Sequence, residues 1–265
     1  MSGRLLDKIA VIVGAGQQPG ETIGNGRATA VRFAEEGARL ILVDRDADAL
    51  SETHREVTEA GAIAANLVVD ITDDDAPDTI IAAALDAFGR IDVLHNNVGI
   101  GERDAPPHKL TDDAYDRIMD VNLRALWRTC RAAVPVMRRQ GSGVITNISS
   151  IASIAANHIA AYRMSKAGID ALTKNLAITN AQYGLRVNAI LPGLIDTPLG
   201  VDAAARAMGI DRDVLAARRA AAVPMGHQGT AWDVANAAVF LASDEAAFIT
   251  GVCLPVDGGQ SARVG

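Results

Sequence analysis

The chain has 265 residues, a net charge of −7 at pH 7 and a pI near 5.2, with 49% hydrophobic and only 3% aromatic residues. That length suits one large α/β domain with a sizeable core of Ala, Val, Ile and Leu. The acidic balance argues against nucleic acid as a main partner. Cys130 and Cys253 stand far apart and outside any CxxC pair, as expected of buried free thiols in a reducing compartment. No run approaches the length of a membrane span, and "MSGRLLDKIAVIVG" enters a strand without a signal-peptide pattern. A soluble cytoplasmic protein is the expectation.

In chain order, "KIAVIVGA", "ARLILVD", "AANLVVD", "IDVLHNN", "GVITNIS", "LRVNAILP" and "GVCLPVDGG" read as strands. Each is apolar on both faces, as strands covered by helices on two sides should be. Helical patterns fill 26–37, 46–61, 76–89, 111–140 and 162–183, several ending in a glycine. Seven strands with six helical connections predict a doubly wound, Rossmann-type parallel sheet in a single domain, 1–265. The Ala- and Arg-rich stretch 194–225 breaks the rhythm, and predicts one or two helices inserted before the last strand as a lid. "TDDDAP" is an acidic helix start rather than a metal site.

The first βα connection holds the first functional signal. A glycine where strand one ends lets the chain turn without a clashing Cβ; that position is Gly14. Gly24 and Gly26 would open the helix, with Asn25 between them, where free N–H groups and the dipole meet a pyrophosphate. "AGQQPGETI" then becomes a lengthened turn with a bend at Pro19 and Gly20. Asp44 ends the second strand, where a carboxylate can accept from ribose hydroxyls and repel a 2′-phosphate. It could equally cap the next helix, as could Asp46. Arg45 could receive a 2′-phosphate, but the turn offers no second basic residue, so NAD is expected over NADP.

Further along, Tyr162 and Lys166 are four residues apart and share a helix face. Ser149 and Ser150 end the preceding strand, so hydroxyl, phenol and ammonium meet at the C-terminal sheet edge where ligands bind. With these pieces the chain resembles the short-chain dehydrogenase/reductase family over essentially its whole length. The matching motifs are the glycine turn, Asp70 after strand three, "NNVG" at 96–99, Asn122 in "VNL", the serine, "YxxxK", "PGLIDTP" at 192–198 and the C-terminal "PVDGG". Three departures stand out. Gly14 to Gly24 is six residues longer than the family turn; Val98 replaces a small residue; Ser150 to Tyr162 spans twelve positions, one fewer than usual. The match to "N-I-[SG]-S" favours Ser150 over Ser149.

The resemblance implies hydride transfer between a nicotinamide and a carbonyl or alcohol carbon. Tyr162 would be the general acid/base; its phenol, ordinarily near ~10, would be lowered by Lys166 and the oxidised nicotinamide. Lys166 would also hold the nicotinamide ribose, Ser150 would orient the substrate oxygen, and Asn122 would hold a water linking Lys166 to solvent, unless it merely kinks its helix. Pro192, Gly193, Ile195 and Thr197 would meet the nicotinamide end, while Asp70, Ile71, Asn96, Val98 and Gly99 would line the adenosine side. It also implies a homotetramer.

Of the five histidines, four are expected at the surface or in loops, and none shows metal-ligand spacing. His158 and Asn157 sit between Ser150 and Tyr162 and could touch substrate. Trp127 and Trp232 are expected to pack. Arg206, Arg212, Arg218 and Arg219 belong by default to a solvated helix face, the alternative being that one meets an anionic substrate group. The mostly apolar loop "IASIAANHIAA" points to a largely apolar small alcohol or ketone. Competing readings are an NADP-dependent 3-oxoacyl-carrier-protein reductase, and a scaffold that binds a dinucleotide without catalysis.

Overall fold

The computed structural model describes residues 3–155 and 159–263. Seven strands are β1 (Ile9–Val13), β2 (Arg39–Asp44), β3 (Ala64–Val68), β4 (Val93–Asn96), β5 (Gly143–Ile148), β6 (Leu185–Pro192) and β9 (Cys253–Val256). They form one sheet in the order β3-β2-β1-β4-β5-β6-β9, and every pairing is parallel. The short strands β7 (Ile195–Asp196) and β8 (Gly229–Thr230) pair separately. The doubly wound fold expected from the strand rhythm is therefore what the chain adopts.

Helices α1 (Asn25–Glu35), α2 (Ala47–Glu59) and α9 (Ala231–Ala242) cover one face, where Phe33, Leu50 and Val239 pack on Ile12 and Leu42. Helices α3 (Ala76–Phe88), α5 (Ala125–Gln140) and α6 (Ala161–Asn180) cover the other, where Ile80, Met137 and Ile169 pack on Val11 and Leu94. With the inner strands buried on both faces, β-branched runs rather than alternation spell the sheet. The winding reverses between β1 and β4, which opens a crevice at their C-terminal ends.

The predicted helix 111–140 is interrupted. α4 (Asp112–Met119) passes through a π turn, Asp120–Arg124, before α5 begins. The inserted stretch before β9 forms a π turn at Pro198–Ala203, then α7 (Ala204–Met208) and α8 (Arg212–Ala222).

Three expectations about single residues are corrected. Cys130 is buried, but Cys253 on the edge strand is only half-buried; both are free thiols. Trp232 packs on the core, whereas Trp127 is 43% exposed, with the Arg131 guanidinium 4.8 Å from its ring. His95 is fully buried on β4, because strand pleating turns it with Val93 toward the face holding Phe33. Neither of its ring nitrogens has a hydrogen-bond partner among the described residues. Burial pushes its pKa down to about 3, so the folded protein holds it neutral.

The sign of the resulting pH dependence follows. The stability that neutral His95 contributes is present above the unfolded value near ~6.5 and is lost as pH falls toward about 3. Between pH 7 and 5, urea unfolding should show wild type losing about 2 kcal/mol more than His95→Leu. Equal losses would mean that His95 has a proton acceptor in the fold.

Candidate active site

A cleft of about 720 Å³ runs across the C-terminal ends of β1, β4 and β5 and under the inserted segment. Its first wall is the glycine turn. Gly14 takes the left-handed conformation (φ +86°), Gly24 is the N-cap of α1, and a Cβ on Gly26 would lie 1.8 Å from the Gly14 carbonyl oxygen. The three glycines thus do what strand-end and helix-start geometry asks of them. Asn25 also lines the cleft, and its buried Oδ1 has no partner among the described residues. The extra length of the turn folds back on itself, with the Gly24 N–H donating to Gln17 Oε1 at 2.8 Å.

At the far end, Asp44 accepts from the Gly16 N–H at 2.9 Å and the Asp46 N–H at 3.1 Å, which aims its carboxylate into the cleft mouth. Asp46, not Asp44, caps α2, accepting from the N–H groups of Asp48 and Ala49. Arg45 faces Asp70, with Nη1 3.7 Å from a carboxylate oxygen. Burial pushes the Asp70 carboxyl up, but hydrogen bonds from Thr72 and the charge of Arg45 outweigh it and leave the pKa lowered. Ile71 and Val98 also line the cleft. Val98 packs directly on Gly14, where a Cβ would stand 2.8 Å from Val98 Cγ2.

Asn96 does not join them. Pleating turns its side chain away from the cleft, where it donates to Asn147 Oδ1 at 2.9 Å beneath Cys130. Asn97, one residue on, lines the cleft instead and donates to the Gly14 carbonyl at 3.0 Å.

The reacting end gathers Ser150, Tyr162 and Lys166. The Tyr162 hydroxyl faces the Ser150 side chain, and Ser150 itself accepts from the Ala152 N–H. Ser149 turns inward, donating to the Lys166 carbonyl at 3.1 Å, so it closes the strand end. Lys166 Nζ lies 5.5 Å from the Tyr162 ring centroid and donates to the Ile148 carbonyl at 2.9 Å. Burial brings the Lys166 pKa down to about 8, although Asp170 pulls it up. For Tyr162, burial outweighs the Ser150 hydrogen bond and the pKa is raised, opposite to the lowering expected beside Lys166 with a cationic nicotinamide. Gly99 lies at this end rather than on the adenosine side, and a Cβ on it would stand 3.1 Å from Lys166 Nζ.

Asn122 stands behind this group inside the π turn. Its Oδ1 accepts from the Ile100 N–H at 2.8 Å, while Nδ2 donates to the Ile100 carbonyl and to Ser165 Oγ. Both amide hydrogens are spent on bracing the loop after β4, so the side chain is a strut before it is a water holder. Pro192, Gly193, Ile195 and Thr197 line the wall nearest the inserted segment, and Thr197 Oγ1 accepts from the Gly200 N–H to cap its π turn. Asn157 and His158 lie outside the described residues.

One contributor carries no local sequence signal, and a second is one of the four arginines the sequence leaves open. Asp104, 58 residues before Tyr162, accepts from the N–H groups of Ala160, Ala161 and Tyr162 at 2.7–3.1 Å. It therefore caps α6 from a distant loop, which turns toward the helix through a left-handed Arg103 (φ +62°). Asp104→Ala should lower stability by about 1 kcal/mol, and turnover should fall further than cofactor affinity. Thermal melts and steady-state kinetics check this, and an unchanged melting temperature would refute the cap. The second is Arg219, which lines the cleft and donates to Gln228 Oε1 at 2.7 Å. No carboxylate lies within ion-pair distance of it among the described residues. Arg206 and Arg218 are exposed as expected, and Arg212 is engaged by carboxylates.

The cleft fits a dinucleotide on the structure's own terms. A helix N-terminus with glycines at its N-cap and second position is crowded against a left-handed glycine, the orphaned Asn25 amide oxygen sits between them, and a carboxylate waits at the end of β2. Among the described residues, no group of three or more His, Cys, Asp or Glu side chains could hold a metal.

A family model described as enoyl-(acyl carrier protein) reductase matches residues 21–261. Levodione reductase of Leifsonia aquatica is 35% identical, covering 98% of this chain and 96% of its own. The 3beta-hydroxysteroid dehydrogenase 1 of Eggerthella lenta is 39% identical over 91% of both chains. The crystal structure of carveol dehydrogenase from Mycobacterium avium in complex with NAD superposes with a TM-score of 0.91 at 30% identity, covering 98% of this chain and 100% of that one.

Proposed function

Because the chain belongs to the short-chain dehydrogenase/reductase family and is an oxidoreductase using a nicotinamide dinucleotide, we propose that it interconverts a secondary alcohol and a ketone of a largely apolar small molecule with NAD. The observation that carries this reading is the gathering of Ser150 and Tyr162 in the cleft beside buried Lys166, whose Nζ lies 5.5 Å from the Tyr162 ring. The nicotinamide, when bound, supplies the hydride donor or acceptor. Gly14, Gly24, Asn25 and Gly26 would hold its pyrophosphate; Ile195 and Thr197 its nicotinamide end.

Ser150 orients the substrate oxygen, and Tyr162 Oη gives it a proton in reduction or takes one in oxidation. The Lys166 ammonium favours the phenolate against burial. Asn122 keeps Ile100 and Ser165 in place behind the pair. The Asp44 carboxylate disfavours a 2′-phosphate, and Arg45 is already directed at Asp70, which supports NAD. Levodione, hydroxysteroid and carveol are cyclic and mostly apolar, in keeping with the cleft's apolar share.

The segment 194–225 serves as the substrate lid of a single-domain chain. The cytoplasm is its proposed compartment. No helix among the described residues is long and apolar enough to cross a membrane. The exposed Trp127, Ile178 and Phe248 support a homotetramer as the working assembly.

Titrating NADH and NADPH separately by nicotinamide fluorescence tests the reading. Tight NADH and weak NADPH binding, followed by turnover of cyclic secondary alcohols, is the expected result. The reverse preference would turn the reading toward an NADP-dependent 3-oxoacyl reductase. Binding of neither would sink the assignment of the glycine turn as a cofactor site.

A further inference from the structure

The lengthened glycine turn does not hang free. Its tip meets the lid, more than 170 residues away in sequence. The Glu21 N–H donates to Asp202 Oδ1 at 3.1 Å, and Thr22 Oγ1 donates to the Asp196 carbonyl at 3.2 Å. Gly20 approaches so closely that a Cβ there would lie 2.8 Å from Pro198 Cβ and 2.9 Å from the Asp202 carboxylate.

This contact brings three carboxylates together. Arg212, at the start of α8, reaches all of them: Asp196 at 2.7 Å, Asp202 at 3.4 Å and Glu21 at 3.4 Å. The arginine is 17% exposed and Asp202 only 7%, so neither charge is well solvated. Without the guanidinium, like charges held this close would drive turn and lid apart. Asp202 Oδ2 has no hydrogen-bond partner among the described residues, so the Arg212 charge facing Oδ1 is what offsets the burial of this carboxylate.

The geometry points to Arg212 as a positioning residue that clasps the lengthened turn to the lid across the dinucleotide cleft, and so sets how fast the dinucleotide leaves. The inference rests on reading the cleft as that site. Turn and lid both line the cleft, Gly24 to Gly26 from one and Thr197 to Gly200 from the other. A dinucleotide that touches both is released more readily when they part. Opening the clasp exposes the carboxylates, so added salt should compete with Arg212 for them. Tyr162 and Ser150 lie outside the clasp, and the chemical step should be indifferent to it.

The experiment is stopped-flow displacement of NADH from wild type, Arg212→Met, Arg212→Lys and the double variant Glu21→Gln/Thr22→Val. Arg212→Met should release NADH about tenfold faster, the equivalent of ~1.4 kcal/mol. Lysine keeps the charge but loses the fork, and should fall between. Raising KCl to about 0.5 M should speed release from wild type much more than from Arg212→Met. Single-turnover hydride transfer at saturating NADH should not change. A folded Arg212→Met with the wild-type release rate overturns the clasp. Should that variant fail to fold, the double variant decides, because Glu21 is 70% exposed and its loss leaves the core intact; unchanged release there overturns the inference as well. Wild type that binds no NADH would instead bring down the cleft assignment itself.

Discussion

Tyr162→Phe should lower turnover in both directions by about 10³-fold, within the range that a positioned acid/base contributes, while NADH affinity stays close to wild type. The variant keeps the ring that Lys166 Nζ approaches to 5.5 Å and removes only the hydroxyl that faces Ser150. A loss confined to KM would show that the ring rather than the proton matters. The pH profile of wild type carries a second check. Burial raises the phenol pKa in the free protein, so alcohol oxidation, which needs phenolate, should climb as pH rises. Ketone reduction needs the protonated phenol and should decline over the same interval. Lys166, brought down to about 8 by burial, loses its charge in that interval too, which should flatten the rise in oxidation above that pH. Oxidation rates independent of pH would remove Tyr162 from the proton path.

The second large effect is expected at Asp44. Asp44→Asn keeps an oxygen for the Gly16 or Asp46 N–H but removes the charge that faces a 2′-phosphate. NADPH should gain and NADH lose affinity, narrowing the ratio of their dissociation constants by about 10- to 100-fold. A larger side chain is not a clean probe, since a Cβ at Gly16 would already stand 2.9 Å from the Asp44 carboxylate. If the ratio does not move, selection lies with Arg45 and Asp70, and the Arg45 variant becomes the informative one.

The sheet, the order of its helices and the glycine turn are legible in the sequence because they depend on local signals: apolar runs of strand length, glycines where strand ends and helix starts require them, and a Tyr–Lys pair one helical turn apart. What escapes is whatever depends on direction within the sheet or on distant partners. In a strand buried on both faces, nothing in the pattern says which way Asn96 or His95 points, so Asn96 reads as a cleft residue and His95 as a surface one. Asp104 caps a helix 56 residues downstream, and no window of sequence contains both. The same holds for Glu21 and Arg212, whose charges look like ordinary solvated ones until turn and lid are brought together. Asn122 was visible, but its work is visible only once Ile100 is beside it.

The π turn at Asp120–Arg124 bears on how the gene tolerates changes of length. A π turn carries one residue more than α geometry needs, so it sets the rotational phase between α4 and α5. Each residue removed or added in an α-helix rotates everything beyond it by about 100°. Deleting one residue from this five-residue stretch would produce a continuous and locally better helix. It would also swing α4 away from α6 and lift Asn122 off the Ile100 backbone. Single-residue deletions are thus expected to be worst tolerated where helical propensity alone would welcome them.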